Sequence, residues 1–356
     1  MSFKVLVADS VAESGLNLLR ENGCELVFAP DKKKETLIDL IRDCDAVFSA
    51  VTFFDEEILS AGKKLKVVGK HGVGIDNVVS AETATKLGLY VVRTPLANMH
   101  SVAEHAITAM LALAKQVVPM DDAMRTYVPS NGAKHPTRTE VVDGREVQVK
   151  TSELHAFESA PSMCTRTEIG GKKLGIIGVG NIGKSLAKMA AMGFDMEILG
   201  YDPFANKEAL AKEFPYITMT DDVDEIFRTC DYVSLHLAAC EANNNFVNKE
   251  RLAMMKPTAF LINFSRGSNL SEPDLYEALK NRQIAGAALD VYADEANFSG
   301  NPLLELDNVL LSPHCSALTV EAMDRMSYQG CQGIVEILTG KKPTWCVNYD
   351  AVNAKK

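Results

Sequence analysis

The sequence lacks any apolar run of the roughly 18 residues that carries a helix across a bilayer, and the stretch Ala106 to Ala114 is interrupted by Thr108. It has no Cys-x-x-Cys pair and no histidines clustered at metal-ligand spacing. Its eight cysteines therefore read as reduced thiols in a chain large enough to fold without disulfide staples. A basic excess is missing too. The formal net charge of −10 disfavours binding to nucleic acid or an anionic membrane, so a small anionic substrate would need a local positive group. The N-terminal MSFKVLVADS enters strand-like alternation directly and has no signal-peptide layout, which makes a cytoplasmic location the expectation.

What is present is an ordinary globular balance, 47% hydrophobic and 24% charged residues, in 356 residues. Single cores stop growing at roughly 250–300 residues, so two domains are expected. Short β-branched runs (KVLVAD, CELVFA, AVFSA, LKVVGK, LYVVRT) alternate with amphipathic stretches up to about Thr94. A second series begins at Lys173 with KLGIIG and continues through EILGYD, YVSLHL, AFLINF, AGAALDV and NVLLSP. This rhythm predicts parallel sheets covered by helices on both faces. A long helical pattern from Met99 to about Arg125 bridges the halves, and another runs from Leu318 to about Leu338 before Gly340. The terminal segment is expected to pack back on the first domain. Val128 to Gly170 does not fit the alternation; its Asp143-Gly144 pair between alternating segments signals a hairpin, read as a surface excursion, an oligomer arm or an active-site cover.

Gly178-x-Gly180-x-x-Gly183 follows the apolar strand LGII and opens the helical stretch NIGKSLAKMAAMG, so Asn181 and Ile182 lie within the turn. Glycines there permit a tight turn and the approach of a pyrophosphate to a helix N-terminus. Asp202 ends the next strand, nineteen residues beyond Gly183, where an acid binds the adenosine ribose hydroxyls and repels a 2′-phosphate. NAD is therefore the expected cofactor. Three further groups follow strand-like runs: Arg266 after AFLINFS, Glu295 after AGAALDV, and His314 after NVLLSP. Ligands of open α/β sheets bind outside the carboxyl ends of strands, so these side chains can converge at one place.

On KVVGKHGVGIDNV, VVRTPLANMHSVAEH, LGIIGVGNIGKSLA, GYDP, VSLHL, MKPTAFLINFSRG, AGAALDVYADE and NVLLSPH, the chain resembles the D-isomer-specific 2-hydroxyacid dehydrogenase family. The resemblance implies a Rossmann cofactor domain plus a flavodoxin-like substrate domain, both doubly wound parallel sheets. It places the substrate domain at 1–100 and 317–356 and the NAD-binding domain at 101–316, with an insertion at about 128–170. It also implies a homodimer or higher oligomer, and interconversion of a small 2-oxo acid and its D-2-hydroxy acid. In that family's pattern Arg266 holds the substrate carboxylate and oxo group, His314 is the acid/base, and Glu295 orients the imidazole. Val73 and Gly74 would receive the substrate carboxylate. Asp290 would lie near the nicotinamide carboxamide, with Leu237, Ala238, Asn243, Phe264 and Ser265 as further cofactor contacts and His236 nearby.

Ala238 and Ala296 replace the usual prolines, Phe264 is larger than usual, and Cys315-Ser316 follows His314 in place of a small apolar pair. Cys315 would then make the site sensitive to oxidants or alkylators. Val51 stands where phosphoglycerate enzymes of the family carry an arginine for the phosphate; Thr52, Phe53 and Phe54 suggest a small or apolar pocket. An NAD-sensing scaffold of the same fold with little turnover is the alternative, and a methyltransferase reading leaves Arg266, Glu295 and His314 without a purpose.

Overall fold

A computed structural model describes residues 2–126, 137–142, 145–150 and 166–354. The first series of β-branched runs forms β1 (Lys4–Val7), β2 (Glu25–Phe28), β3 (Ala46–Ser49), β4 (Val67–Lys70) and β5 (Tyr90–Val92). They make one wholly parallel sheet in the order β2-β1-β3-β4-β5, the flavodoxin-like arrangement. β3 and β4 are buried along their whole length, which is why they read as unbroken apolar runs and not as alternation.

An antiparallel pair, β6 (Thr137–Val142) and β7 (Arg145–Lys150), occupies the excursion with Val142 opposite Arg145. The Asp143-Gly144 turn that the sequence signals lies outside the described residues. The second series gives β8 (Lys173–Ile177), β9 (Glu197–Tyr201), β10 (Ile217–Met219), β11 (Tyr232–Leu235), β12 (Phe260–Asn263), β13 (Gly286–Leu289) and β14 (Val309–Leu311). They form a parallel sheet in the order β10-β9-β8-β11-β12-β13-β14. The direction of winding reverses between β8 and β11, where a doubly wound sheet opens its ligand crevice. Both halves are thus doubly wound α/β units, as the alternation predicts.

The expected bridging helix is two helices, Met99–Lys115 and Val117–Thr126, because Gln116 takes a left-handed backbone (φ 53°). The first packs on the Asn181–Phe194 helix and on β12 and β13, burying Val102, Ala106 and Met110 in the core of the larger sheet. The last long helix, Val320–Leu338, starts at Thr319, whose hydroxyl accepts from the Ala322 N–H, a cap worth about 1 kcal/mol. It packs against the Glu13–Glu21 helix and β4, and its Cys331 and Ile334 join the core of the smaller sheet. Asn348 accepts from the Val91 N–H and donates to Leu89 O, which ties the terminal segment to the β5 edge. No described helix is long and apolar enough to cross a membrane.

Candidate active site

The glycine turn has the form its spacing predicts. Gly178 has φ +96°, and a Cβ there would lie 2.6 Å from the carbonyl oxygen of His236, so strands β8 and β11 approach closely above it. Around Gly180 a Cβ would meet nothing within 4 Å. Gly180 also precedes the Asn181–Phe194 helix with no side-chain cap, so the first helical N–H groups have no cap from that residue. Asn181 donates to Pro95 O at 3.2 Å and so joins the turn to the smaller unit, whereas Ile182 is half-buried beside the core and Gly183 is buried. Asp202 accepts from Val179 N (3.1 Å) through one oxygen and from Phe204 N (2.9 Å) through the other. A carboxylate has about four acceptor sites, so two remain for ribose hydroxyls. The turn, the uncapped helix and the acid fit a dinucleotide.

At the ends of β12, β13 and β14 stand the three reactive candidates. His314 Nδ1 lies 2.9 Å from Glu295 Oε2, and the Glu295 carboxyl also accepts from Tyr292 N. Burial alone would raise the Glu295 pKa, but the His314 bond and charge, the Tyr292 N–H and the charge of Arg266 hold it below the ordinary carboxylate range. Arg266 is thus within electrostatic reach of the pair. Its guanidinium makes a two-point ion pair with Asp76, Nε to Oδ2 at 3.2 Å and Nη2 to Oδ1 at 3.1 Å, and Nη1 donates to Ser265 O at 2.8 Å. Gly74 lies directly under Nη2, and Val73 O accepts from Arg93 at 3.4 Å, so the loop expected to receive a carboxylate abuts Arg266.

Asp290 is fully buried, and its oxygens accept from Ser312 Oγ (2.5 Å), Cys315 N (2.9 Å) and Ser316 N (2.9 Å). Burial would raise this carboxyl, but the Ser312, Ser316 and Cys315 donors outweigh it and hold it low. The loop it grips contains His314, whose backbone is left-handed (φ 53°), a conformation that costs a non-glycine residue roughly 1–2 kcal/mol. Asp290 therefore braces the turn that presents the imidazole. The Cys315 thiol is pushed up by burial and by the Asp290 charge, so it is not the activated thiolate that alkylation needs.

The remaining expected contacts lie on the segments that follow β11 and β12. Ser265 donates through both N and Oγ to Asn263 Oδ1, and Asn269 donates to Ser265 Oγ and to Leu237 O. Asn263 and Asn269 are both fully buried and hold the loop that aims Arg266. Asn243 donates to Ala238 O at 2.9 Å, a local brace on the segment after β11. Phe264 is buried edge-on to His105, with 5.0 Å between ring centroids. His236 shares a 3.0 Å contact with Ser234 Oγ, its Nδ1 has no partner, and burial pushes the imidazole down to about 4, so it stays neutral.

One expectation is corrected. Phe54 is 1% exposed in the core of the smaller sheet and Thr52 is turned inward, so neither lines a pocket. The cause is Asp9, at the end of β1. It accepts from Ser49 Oγ, from the backbone N–H groups of Ala50, Val51 and Thr52, from Thr52 Oγ1, and from Lys32. That winding leaves Val51 and Phe53 outward, 58% and 49% exposed. Beside it, Lys70 is buried and donates to Ala50 O, and burial followed by the Arg266 charge lowers its ammonium to about 8. Asp76, Lys70, Asn263 and Asn269 were not legible as site residues in the sequence; only the position of Asp76 and Lys70 within KHGVGID, among otherwise apolar strand residues, offered a hint. Among the described residues no group of acidic, histidine or cysteine side chains could hold a metal ion.

A Rossmann sheet with a dinucleotide turn, joined to a flavodoxin-like sheet and carrying an Arg–Glu–His set at successive strand ends, defines an NAD-binding oxidoreductase. The description "D-isomer specific 2-hydroxyacid dehydrogenase, NAD binding domain" matches residues 141–316. The chain is 33% identical over 360 residues to a glyoxylate reductase of Thermofilum pendens, covering 99% of this chain and 96% of that protein. It is also 33% identical over 354 residues to a D-3-phosphoglycerate dehydrogenase of Methanocaldococcus jannaschii, of which it spans 61%. The solved D-lactate dehydrogenase of Escherichia coli superposes with a TM-score of 0.72 at 26% identity, covering 97% of this chain and 100% of that one. The chain belongs to the D-isomer-specific 2-hydroxyacid dehydrogenase family.

Proposed function

We propose that this chain reduces a small 2-oxo acid to its D-2-hydroxy acid with NADH, and runs the reverse oxidation with NAD. The observation that carries the reading is the His314–Glu295 contact, 2.9 Å at Nδ1, beside the Arg266 guanidinium. Glu295 occupies Nδ1, which leaves Nε2 as the nitrogen that holds and releases a proton. In reduction that proton goes to the oxo oxygen of the substrate, and in oxidation Nε2 takes the hydroxyl proton. Arg266 holds the substrate carboxylate and oxo oxygen, with the Val73–Gly74 loop beneath it. When bound, the nicotinamide supplies the hydride equivalent to the second carbon. The glycine turn, Asp202 and the crevice residues Leu237, Ala238, Asn243, Phe264, Ser265 and Asp290 would hold or border it.

The substrate domain in this reading comprises 1–100 and 317–356, and the NAD-binding domain 101–316 with its insertion at about 128–170. The protein would work in the cytoplasm as a homodimer joined through the cofactor domain, which light scattering tests directly. The exposed Val51 beside the cleft favours a substrate without a phosphate. A panel of 2-oxo acids followed by NADH absorbance, run on wild type and Arg266→Lys, tests the activity. Turnover should appear with a small 2-oxo acid and collapse in the variant, since a point ammonium cannot replace a planar fork. A variant within about threefold of wild type, roughly 0.7 kcal/mol, would sink the assignment of Arg266.

A further inference from the structure

We propose that Asp76 is a positioning residue for substrate recognition, holding Arg266 so that only one part of its guanidinium is left for the substrate carboxylate. The inference deepens the proposed function and rests on it. A guanidinium has five N–H donors in a rigid plane. Asp76 takes one on Nε and one on Nη2, and Ser265 O takes one on Nη1. One donor therefore remains on each terminal nitrogen, the number that a carboxylate, or a carboxylate oxygen with the neighbouring oxo oxygen, requires.

The plane of the guanidinium is set from below as well. A Cβ on Gly74 would fall 1.8 Å from Nη2 and 2.7 Å from Asp76 Oδ1, so a side chain at position 74 would displace the guanidinium and its partner from this place. Asp76 follows β4 in the smaller sheet and Arg266 follows β12 in the larger one, 190 residues away, so the ion pair also crosses the cleft. The Asp76 carboxyl stays ionised: burial would raise it, but the Arg266 bond and charge outweigh this and hold it below the ordinary range.

A negative charge beside an anion site is unfavourable by Coulomb's law alone, and this gives the test its sign. Asp76→Asn keeps the shape, removes the charge, and sets an amide NH₂ against one of the two Arg266 donors. If Asp76 contributed only charge, its removal would tighten anion binding. Positioning predicts the reverse. Oxamate, an unreactive carboxylate analogue of a 2-oxo acid, is titrated into the enzyme–NADH complex of wild type, Asp76→Asn, Asp76→Glu and Arg266→Ala. NADH affinity is measured separately by fluorescence. We expect oxamate to bind at least tenfold more weakly to Asp76→Asn, with partial recovery in Asp76→Glu and NADH affinity within threefold throughout. Unchanged or tighter oxamate binding in Asp76→Asn, with Arg266→Ala still defective, overturns the proposal while leaving the function intact. Undiminished oxamate binding in Arg266→Ala overturns the functional reading beneath it.

Discussion

His314 and Glu295 meet at 2.9 Å although each stands at the mouth of its own strand, and the imidazole reaches its partner from a left-handed backbone. Because the Glu295 carboxyl is held below its ordinary range, it is an anion across the neutral region and a fixed acceptor that orients the His314 ring through Nδ1. Glu295→Gln should lower turnover by 10- to 1000-fold, a loss on the order of 1.4–4 kcal/mol in the barrier. Turnover of the variant within about threefold of wild type, roughly 0.7 kcal/mol, would break the pairing.

A second pH effect belongs to Lys70. Its ammonium is lowered to about 8 by burial and by the charge of Arg266, against the opposing charges of Asp76 and Asp9. Below pH 8 Lys70 is charged and adds positive potential to a cleft in which Arg266 is already matched by Asp76; above it, that contribution disappears. The KM for an anionic 2-oxo acid should therefore rise about three- to tenfold above pH 8, on the order of 1 kcal/mol for one charge several ångströms away. Lys70→Met should show the higher KM at all pH values. A KM that climbs equally in both proteins would assign the effect elsewhere.

Asp290 makes a prediction that can be read on a different residue. The Cys315 thiol is held up by burial and by the Asp290 carboxylate, so iodoacetamide should label it slowly in the wild-type protein. Asp290→Asn removes the charge and disturbs the acceptor of two backbone N–H donors, Cys315 and Ser316, costing about 1–3 kcal/mol of stability. Mass spectrometry of the peptide containing Cys315 should show labelling accelerated several-fold. Equal rates in the two proteins would mean that Asp290 does not govern this loop.

Cofactor choice is expected to turn on Asp202. A 2′-phosphate on the ribose would bring a second anion to a carboxylate that already serves Val179 and Phe204. NADP should be disfavoured by at least about 100-fold in kcat/KM, a few kcal/mol at intermediate effective dielectric. Asp202→Ser should weaken NADH use and improve NADPH use. Comparable efficiency with both cofactors in the unmodified enzyme would remove Asp202 from the ribose.

Both sheets were legible because buried parallel strands are written as compact apolar runs, VVGK and GAAL among them. β10 escaped, being three residues long at an edge. The glycine turn and the Arg266, Glu295 and His314 positions were legible because turn chemistry and strand ends are local properties. Asp76 was not, since its meaning comes from a residue 190 positions away. The inward turn of Thr52 was hidden for the same reason, as its partner Asp9 lies 43 positions earlier, just beyond β1.

The bonds to Asp9 also govern what a change at position 51 would do. Three consecutive main-chain N–H groups converge on Asp9 from Ala50, Val51 and Thr52, so the bend after β3 owes its shape to backbone bonds and not to the side chain at position 51. Such a bend is a socket: a side chain substituted at Val51 would be delivered to the same outward place, with the fold beneath it undisturbed.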